Sequence, residues 1–352
     1  SAVLLPLLLI LYLCLIKKER IIFIIRQRII IGWLAVVGIW FLFRTLVLEN
    51  PIHYGLVEVG KTLCFNLPAV LLYLGKVFFP FNLSVLPTLQ DSSLSYGLIS
   101  LVLLSTLLFF SKNKRYRLII FGGLWFLLFL LPSFIHPNPA YVANFIEHRV
   151  YLPLIGLFFV LGEIDFMKKI NFSKKSHLGL VIFFLALLSL ITFRHLGNYK
   201  NGISFWENAV QTSPHHPLAH KNLGAMYYFD KRLEEAEREY QKSLELNAFE
   251  AMVHNNLGLI YSDEGKLDKA EEEYKKELEI NPYYDKAYFN YGLLLYKEDK
   301  LDEAEKMWLK TLEINPDHFG AHRNLAVYYY QKGDSEKARH HQNEVLKKGT
   351  RF

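Results

Sequence analysis

Cysteine is scarce in this sequence. The 352 residues contain only two, Cys14 and Cys64, and both lie in apolar stretches. A disulfide framework needs several paired cysteines, and a structural zinc site needs a set of closely spaced Cys and His ligands, so the sequence excludes both. A glycine-rich nucleotide-binding loop is also absent. The paired histidines at 215–216 and 340–341 have no third ligand at metal spacing, so we expect surface residues and no metal site.

Acidic residues are scarce in the first part of the chain. Residues 1–214 carry 19 Lys and Arg against 8 Asp and Glu, a net charge of +11, whereas residues 215–352 carry 21 against 26, a net charge of −5. The basic residues stand in short loops between long apolar runs, which is typical of a membrane protein and not of a nucleic-acid-binding surface. The sequence therefore excludes a soluble single-domain enzyme, a secreted mini-protein and a disordered chain.

Long apolar runs dominate the first half. Six of them are candidates for crossing a bilayer, which takes about 20 helical residues. They cover roughly residues 1–16, 29–48, 94–111, 118–135, 150–166 and 178–193. A seventh run, 63–80, contains Asn, Pro, Gly and Lys, so we interpret it as an interfacial or re-entrant helix. The sequence thus predicts a transmembrane domain over residues 1–196 and a junction over 197–214.

Three basic loops set the predicted orientation of this domain. They span residues 17–28, 112–117 and 168–175. Basic loops of membrane proteins stay in the cytoplasm, so the last crossing delivers everything after Arg194 to the extracytoplasmic side. We expect an integral membrane protein of the bacterial inner membrane, with the endoplasmic reticulum as the alternative.

The second half of the chain repeats every 34 residues. Small residues, asparagines and turn residues recur at this step, at 224, 258, 292 and 326, at 222, 256, 290 and 324, and at 214, 248, 282 and 316. The pattern resembles the tetratricopeptide repeat, with four units within residues 215–352, and residues 205–210 resemble one helix of a degenerate leading repeat. The predicted fold is all-α: a polytopic transmembrane helical bundle followed by an extracytoplasmic tetratricopeptide α-solenoid.

One asparagine per repeat lies on the first helix, immediately before the Leu-Gly position: Asn222, Asn256, Asn290 and Asn324. An amide both donates and accepts, so a row of amides on the concave face is suited to an extended peptide backbone. The alternative is that these amides only bond between neighbouring helices. Residues predicted on or near the same face are Arg323, Lys221, Phe289, Tyr228, Tyr296 and Tyr330. We predict a polypeptide partner for this groove, beside the lipid bilayer itself, and no nucleic acid.

Charged residues at membrane depth are candidates for function because their burial in lipid is expensive. Arg44 lies near the outer end of the second predicted crossing, Lys61 begins the interfacial segment, and Glu147, His148 and Arg149 precede the fifth crossing. An Arg side chain offers a donor fork suited to phosphate, and Glu or His can carry a proton. The alternative is a helix-start cluster in which Arg149 reaches lipid headgroups and Glu147 neutralises it.

Residues 145–156, Phe-Ile-Glu-His-Arg-Val-Tyr-Leu-Pro-Leu-Ile-Gly, resemble the Glu-x-Arg-x-Tyr-Leu-Pro-Ser-x-Gly signature of the transmembrane and tetratricopeptide repeat (TMTC-type) protein O-mannosyltransferases. Leu154 stands where that family has Ser. Residues 72–84 look like the same family's Tyr-Leu…Leu-x-Pro-x-x-Leu-Ser segment. The resemblance implies a C-type glycosyltransferase fold that moves a sugar, mannose in the family, from a polyprenyl-phosphate carrier to protein.

The resemblance also implies roles for individual residues. Glu147 and His148 would be catalytic residues. The carrier phosphate would be bound by Arg44, Lys61, Arg149 and Tyr151. The donor substrate would be a polyprenyl-phosphate-linked sugar, with no covalently bound cofactor and the need for a metal left open. The family's acidic catalytic motif lies upstream of the matched region, so this chain corresponds to the carboxy-terminal part of such an enzyme. The alternative function is a non-catalytic, membrane-anchored scaffold for proteins of the cell envelope.

Overall fold

The computed structural model of the chain describes residues 5–18, 55–81, 83–135, 145 and 147–349, together with positions 32, 35, 38, 39 and 42. Every regular element in these residues is a helix, which confirms the all-α prediction. The chain divides into two compact units, Ser1–His215 and His216–Phe352. The predicted junction, residues 197–214, therefore belongs to the first unit.

The first unit contains nine described α-helices. Their bounds are α1 Leu5–Tyr12, α2 Leu56–Asn66, α3 Ala69–Phe78, α4 Ser95–Phe110, α5 Tyr116–Phe134, α6 Tyr151–Leu161, α7 Asp165–Lys168, α8 Lys175–Leu196 and α9 Gly202–Thr212. A π-helical turn, Leu13–Lys17, continues α1, and 3₁₀ turns Glu147–Val150 and Gly197–Tyr199 precede α6 and follow α8.

Three described helical stretches are long and apolar enough to cross a membrane: Val57–Phe78, Tyr116–Phe134 and Lys175–Tyr199. The helices at two other predicted crossings are shorter, with 16 residues in α4 and 11 in α6. At 1.5 Å per residue α6 extends about 16 Å, roughly half of the hydrocarbon core of a bilayer. Most of the predicted crossing at 29–48 lies outside the described residues. The number of crossings, and the interfacial placement of 63–80, stay predictions.

Glycines bring two pairs of helices in the first unit into backbone contact. A Cβ on Gly122 in α5 would lie 2.5 Å from the carbonyl oxygen of Gly156 in α6, and a Cβ on Gly75 in α3 would lie 2.8 Å from the backbone nitrogen of Gly97 in α4. Small residues at such contacts are typical of packed membrane helices.

Asn66 is one of the polar residues that argue for an interfacial segment at 63–80. Its side chain is buried, and its Nδ2 atom donates a hydrogen bond of 2.8 Å to the carbonyl oxygen of Phe134 at the end of α5. A buried amide paired in this way carries little of the desolvation cost of an unpaired one. Asn66 therefore joins α2 to α5 and is not evidence for contact with water.

A buried carboxylate joins two of the basic loops. Glu163 is fully buried; its Oε1 atom accepts from Nε and Nη2 of Arg115 at 2.9 and 2.6 Å, and its Oε2 atom lies 3.2 Å from Nζ of Lys168. The hydrogen bonds from Arg115 and the contact with Lys168 compensate for the burial of this carboxylate. Glu163 thus holds Arg115 and Lys168 together.

The second unit is a row of four helix pairs. Their bounds are α10 Pro217–Phe229 with α11 Leu233–Leu246, α12 Val253–Asp263 with α13 Leu267–Ile280, α14 Asp285–Lys297 with α15 Leu301–Ile314, and α16 Phe319–Gln331 with α17 Ser335–Gly349. The repeated glycines allow the close approach within a pair: a Cβ on Gly258 would lie 2.7 Å from the ring of Tyr274, and one on Gly292 2.5 Å from Nε1 of Trp308.

Candidate functional site

The four repeated asparagines lie on the first helix of each pair, α10, α12, α14 and α16, and all four side chains are half-buried. Two of them are bonded to protein. Asn290 donates from Nδ2 to Oδ1 of Asn255 at 2.9 Å, and Asn255 donates from its own Nδ2 to Oδ1 of Asn256 at 3.1 Å. Asn290 therefore forms a hydrogen bond between neighbouring helices, to the buried Asn255 on α12, as in the alternative to peptide binding given above.

The outer two asparagines differ from this pair. Nδ2 of Asn324 is buried and has no hydrogen-bond partner among the described residues, and the side chain of Asn222 has none there either. A buried donor without a partner costs about 1–3 kcal/mol, so it favours a water molecule or a ligand at that place. The neighbouring Arg323 is exposed and likewise forms no ion pair with any described residue. The groove residues whose side chains can still form hydrogen bonds or ion pairs are therefore Asn222, Arg323 and Asn324.

Lys221 does not face a ligand, contrary to its predicted place in the groove. It is buried, and its Nζ atom lies 2.7 Å from Oε1 of the buried Glu250 and 3.3 Å from the carbonyl oxygen of Ala251. A buried ion pair of this kind is part of the packing between α10 and the next repeat. The aromatic side chains of Tyr330 and Tyr296 are exposed as expected, at 78% and 38%.

Sequence reasoning missed Asn255, which makes the central contact of the asparagine row. The signal was present, because an Asn-Asn pair occurs at this position only in the second repeat. The same two helices are bridged again further along, where Nζ of Lys297 donates to Oγ of Ser262 at 2.9 Å.

The residues predicted to bind carrier phosphate are described only in part. Glu147 and His148 lie in the 3₁₀ turn before α6, and their side chains lie outside the described part of the chain. Arg149 is half-buried in the same turn, and Tyr151, which begins α6, is 71% exposed. Lys61 is exposed on α2, and Arg44 lies outside the described residues. Their assembly into one site stays a prediction.

A polar cleft in the first unit was not anticipated from the sequence. Its volume is about 870 Å³, and its lining residues are Pro80, Phe81, Leu83, Asp91, Ile191, Arg194, His195, Asn198, Asn208, Gln211, Thr212 and Pro214. The walls come from three segments: the chain after α3, the end of α8 with its 3₁₀ turn, and α9. The adjacent residues Arg194 and His195 at the end of the last apolar run were the available signal.

Hydrogen bonds hold α9 against the segment that follows α3. Oγ of Ser84 lies 2.6 Å from Oγ1 of Thr212, and the carboxylate of Asp91 accepts from Thr88 at 3.0 Å and contacts Nδ1 of His215 at 2.5 Å. The Asp91 side chain is only 3% exposed. These hydrogen bonds link the two walls of the cleft, and the Asp91 carboxylate is already hydrogen-bonded to Thr88 and His215.

Two of the histidines expected at the surface are buried. His216 is 3% exposed and His341 is 7% exposed, whereas His340 and His215 are exposed. In the last repeat, Nδ1 of His341 lies 2.9 Å from Nδ1 of the buried His322. In the part of the chain that the structure describes, no group of three His, Cys, Asp or Glu residues is arranged to hold a metal ion.

The same two positions carry different pairs in the other repeats. In the first two repeats they hold His220 with Glu239, at 2.7 Å, and His254 with Glu273, at 2.6 Å. In the third repeat they hold Tyr288 and Met307. The histidine pair of the fourth repeat thus stands where a histidine and a carboxylate meet in the first two.

Comparison with known families bears directly on these helix pairs. Two models described as "Tetratricopeptide repeat" match residues 251–284 and 283–348. These residues are tetratricopeptide repeats. The tetratricopeptide prediction from the sequence is therefore confirmed here, whereas membership of the mannosyltransferase family is not shown. A search of curated protein sequences gives no match.

Several solved structures resemble part of the chain. The crystal structure of MamA is 21% identical, covering 46% of this chain and 94% of MamA with a TM-score of 0.39. YrrB, described as a tetratricopeptide protein with an unusual peptide-binding site, is 24% identical over 41% of this chain and 75% of its own, with a TM-score of 0.34. The first such domain of Spaghetti (RPAP3), bound to an HSP90 peptide, is 26% identical over 33% and 93%, with a TM-score of 0.32.

Proposed function

We propose that this protein is a membrane-anchored tetratricopeptide scaffold that binds a polypeptide in the groove formed by α10, α12, α14 and α16. Tetratricopeptide repeats point to peptide or protein binding as their general role. The observation that carries the proposal is the unmet hydrogen-bonding capacity of the asparagine row at Asn324, in a groove where Asn256 and Asn290 are already fixed by Asn255. We place the groove on the extracytoplasmic side of the membrane.

The side chains around Asn324 indicate what such a polypeptide would present. Arg323 offers an unpaired positive charge, and Val327 and Tyr330 are exposed at 48% and 78% on the same helix. A peptide with an acidic residue next to an apolar or aromatic one would pair with the guanidinium and cover the apolar surface. Its backbone would bond to the free amides of Asn222 and Asn324.

The test is selection of peptides from a randomised display library on the full chain in an uncharged detergent. We expect the selected peptides to bind at least tenfold more weakly to the Arg323→Gln and Asn324→Ala variants, because each loses a polar contact. Arg339→Gln is the matched control, since Arg339 is an exposed arginine on the second helix of the same repeat. Equal affinities for wild type and all three variants would contradict the proposal.

A second candidate is transfer of a sugar, mannose in the family it resembles, from a polyprenyl-phosphate carrier to the bound polypeptide. It is favoured by the resemblance of residues 145–156, and the geometry adds that Arg149 and Tyr151 stand together at the start of α6. In this proposal Arg44, Lys61, Arg149 and Tyr151 bind the carrier phosphate and Glu147 and His148 act in proton transfer. Arg149→Ala in the full-length protein should then abolish transfer with normal membrane insertion. Undiminished transfer would rule it out.

A further inference from the structure

The polar cleft at the end of α8 has the dimensions of a small-molecule site. Its volume of about 870 Å³ falls within the roughly 300–1,000 Å³ that is usual for ligand pockets. Its walls are polar where α8 and α9 end and apolar at Pro80, Phe81 and Leu83. A ligand that fits both surfaces has a polar head and an apolar remainder.

The lining of the cleft contains one arginine. The lining residue Arg194 is exposed and forms no hydrogen bond or ion pair through its side chain with any residue that the structure describes. Asp91, the single carboxylate in the lining, is paired with His215 and Thr88. An arginine fork without a partner, beside a carboxylate whose oxygens are already hydrogen-bonded, favours an anion, and phosphate matches its planar geometry.

Amide donors line the opposite wall. Oδ1 of Asn208 accepts from the backbone nitrogen of Val85 at 3.3 Å, which orients the side chain and leaves Nδ2 available to a ligand. Gln211, one helical turn further along α9, is exposed and makes no hydrogen bond through its side chain among the described residues. Together Arg194, Asn208 and Gln211 provide one charged and two neutral donors around the cleft.

The apolar surface of α8 favours a lipid headgroup over a soluble ion as the anion. The stretch Lys175–Tyr199 is apolar enough to span a membrane, and none of its apolar window is buried within the protein. Immediately before Arg194, Phe193 is 74% exposed, and Leu190, one turn earlier, is 57% exposed. Acyl chains lying along this surface would bring a lipid headgroup to the level of Arg194.

We propose that this cleft binds the phosphate-bearing headgroup of a membrane lipid, with Arg194 as the charged partner and Asn208 and Gln211 as hydrogen-bond donors. This site is separate from Arg44, Lys61 and Arg149, and it goes beyond polypeptide binding by the repeats. Binding here depends neither on occupation of the groove nor on any transfer reaction.

The experiment measures calorimetric binding of three probes to the full chain in an uncharged detergent: dihexanoyl phosphatidic acid, dihexanoyl phosphatidylcholine and inorganic phosphate. Phosphatidic acid should bind at least tenfold more tightly than either of the others, because it alone combines an unshielded phosphate with acyl chains. Arg194→Gln should weaken its binding about tenfold or more, the loss expected for one charge-assisted hydrogen bond. Lys200→Gln, which removes an exposed charge that does not line the cleft, should leave it unchanged.

A second variant guards against an effect on folding. Gln211→Glu places a carboxylate at the exposed end of the cleft, and it should weaken phosphatidic acid binding by repulsion while the helical circular dichroism spectrum stays that of wild type. Equal phosphatidic acid affinity in wild type and Arg194→Gln would overturn the proposal. Equal affinity for inorganic phosphate and phosphatidic acid would overturn the assignment to a lipid. Arg323→Gln should not alter this binding, so failure of the groove proposal would be seen separately.

Discussion

The histidine pair of the last repeat makes the attachment of α17 to α16 sensitive to pH. Nε2 of His322 lies 3.0 Å from the carbonyl oxygen of Pro316, which can only accept, so Nε2 carries a proton, and in the neutral ring Nδ1 is then an acceptor. Nδ1 of His341, 2.9 Å away, must therefore be the donor.

The size of the expected loss of stability at low pH follows from the pKa of His341. Burial, with the neighbouring His322 and His340, lowers that pKa from 6.5 to about 4. Lys337 also lowers it, Glu344 opposes the shift, and the ring stacks on Tyr329 with centroids 5.7 Å apart. Because the folded state binds a proton less readily than the unfolded state, stability is complete above pH 6.5 and is lost as the pH falls towards 4. By linkage the loss is about 2 kcal/mol at pH 5.

Hydrogen–deuterium exchange of the full chain in detergent measures this loss of stability at α17 directly. After correction for intrinsic exchange rates, the free energy of opening at the amides of α17 should fall by about 2 kcal/mol between pH 7 and pH 5. Arg339→Gln, which changes an exposed residue of α17 that is not among the groups shifting this pKa, should show the same fall.

His341→Glu converts the pair into the histidine–carboxylate contact of the first two repeats. In that variant His322 gains a charged partner and is stabilised when protonated, so the opening free energy should no longer decrease between pH 7 and pH 5. Opening free energies in the wild type that do not change with pH would refute the reasoning, and so would an unaltered pH dependence in His341→Glu.

Two further perturbations test the packing. Glu163→Gln should destabilise the first unit by about 1–3 kcal/mol at pH 7, because an amide replaces the carboxylate that Arg115 and Lys168 contact. The loss should appear as a lower thermal midpoint in detergent, and a midpoint equal to that of the wild type would contradict this account. Gly292→Ala places a Cβ 2.5 Å from Nε1 of the buried Trp308 and should lower the free energy of unfolding by about 1–3 kcal/mol. The control is Gly179→Ala, whose Cβ meets no atom within 4 Å, and equal effects of the two substitutions would disprove the steric explanation.

The repeats were predictable because their determinants are local and periodic. Each helix pair needs a small residue opposite a large ring, as at Gly258 and Tyr274, and the same requirement returns after 34 residues. The burial of Lys221 was not predictable in this way. Its partner Glu250 lies 29 residues along the chain, and the contact depends on how one repeat turns onto the next.

The polar cleft could not be derived from the sequence for a similar reason. Its walls come from residues 80–91 and from residues 191–214, more than a hundred positions apart, and no repeat or motif connects them. Arg194 alone reads as a residue that ends a membrane helix. Its place in a polar cleft becomes visible only in the structure, where Asn208 and Asp91 line the same cleft.

The meeting of Gly122 and Gly156 has a mechanical consequence. Each glycine faces the carbonyl group of the other, with the side chains of Trp125 and Phe159 close on either side. Sliding one helix past the other by a single turn, about 5.4 Å, would drive a bulky ring into a gap that admits only hydrogen. We therefore expect α5 and α6 to move together, because sliding between them is sterically blocked at this contact.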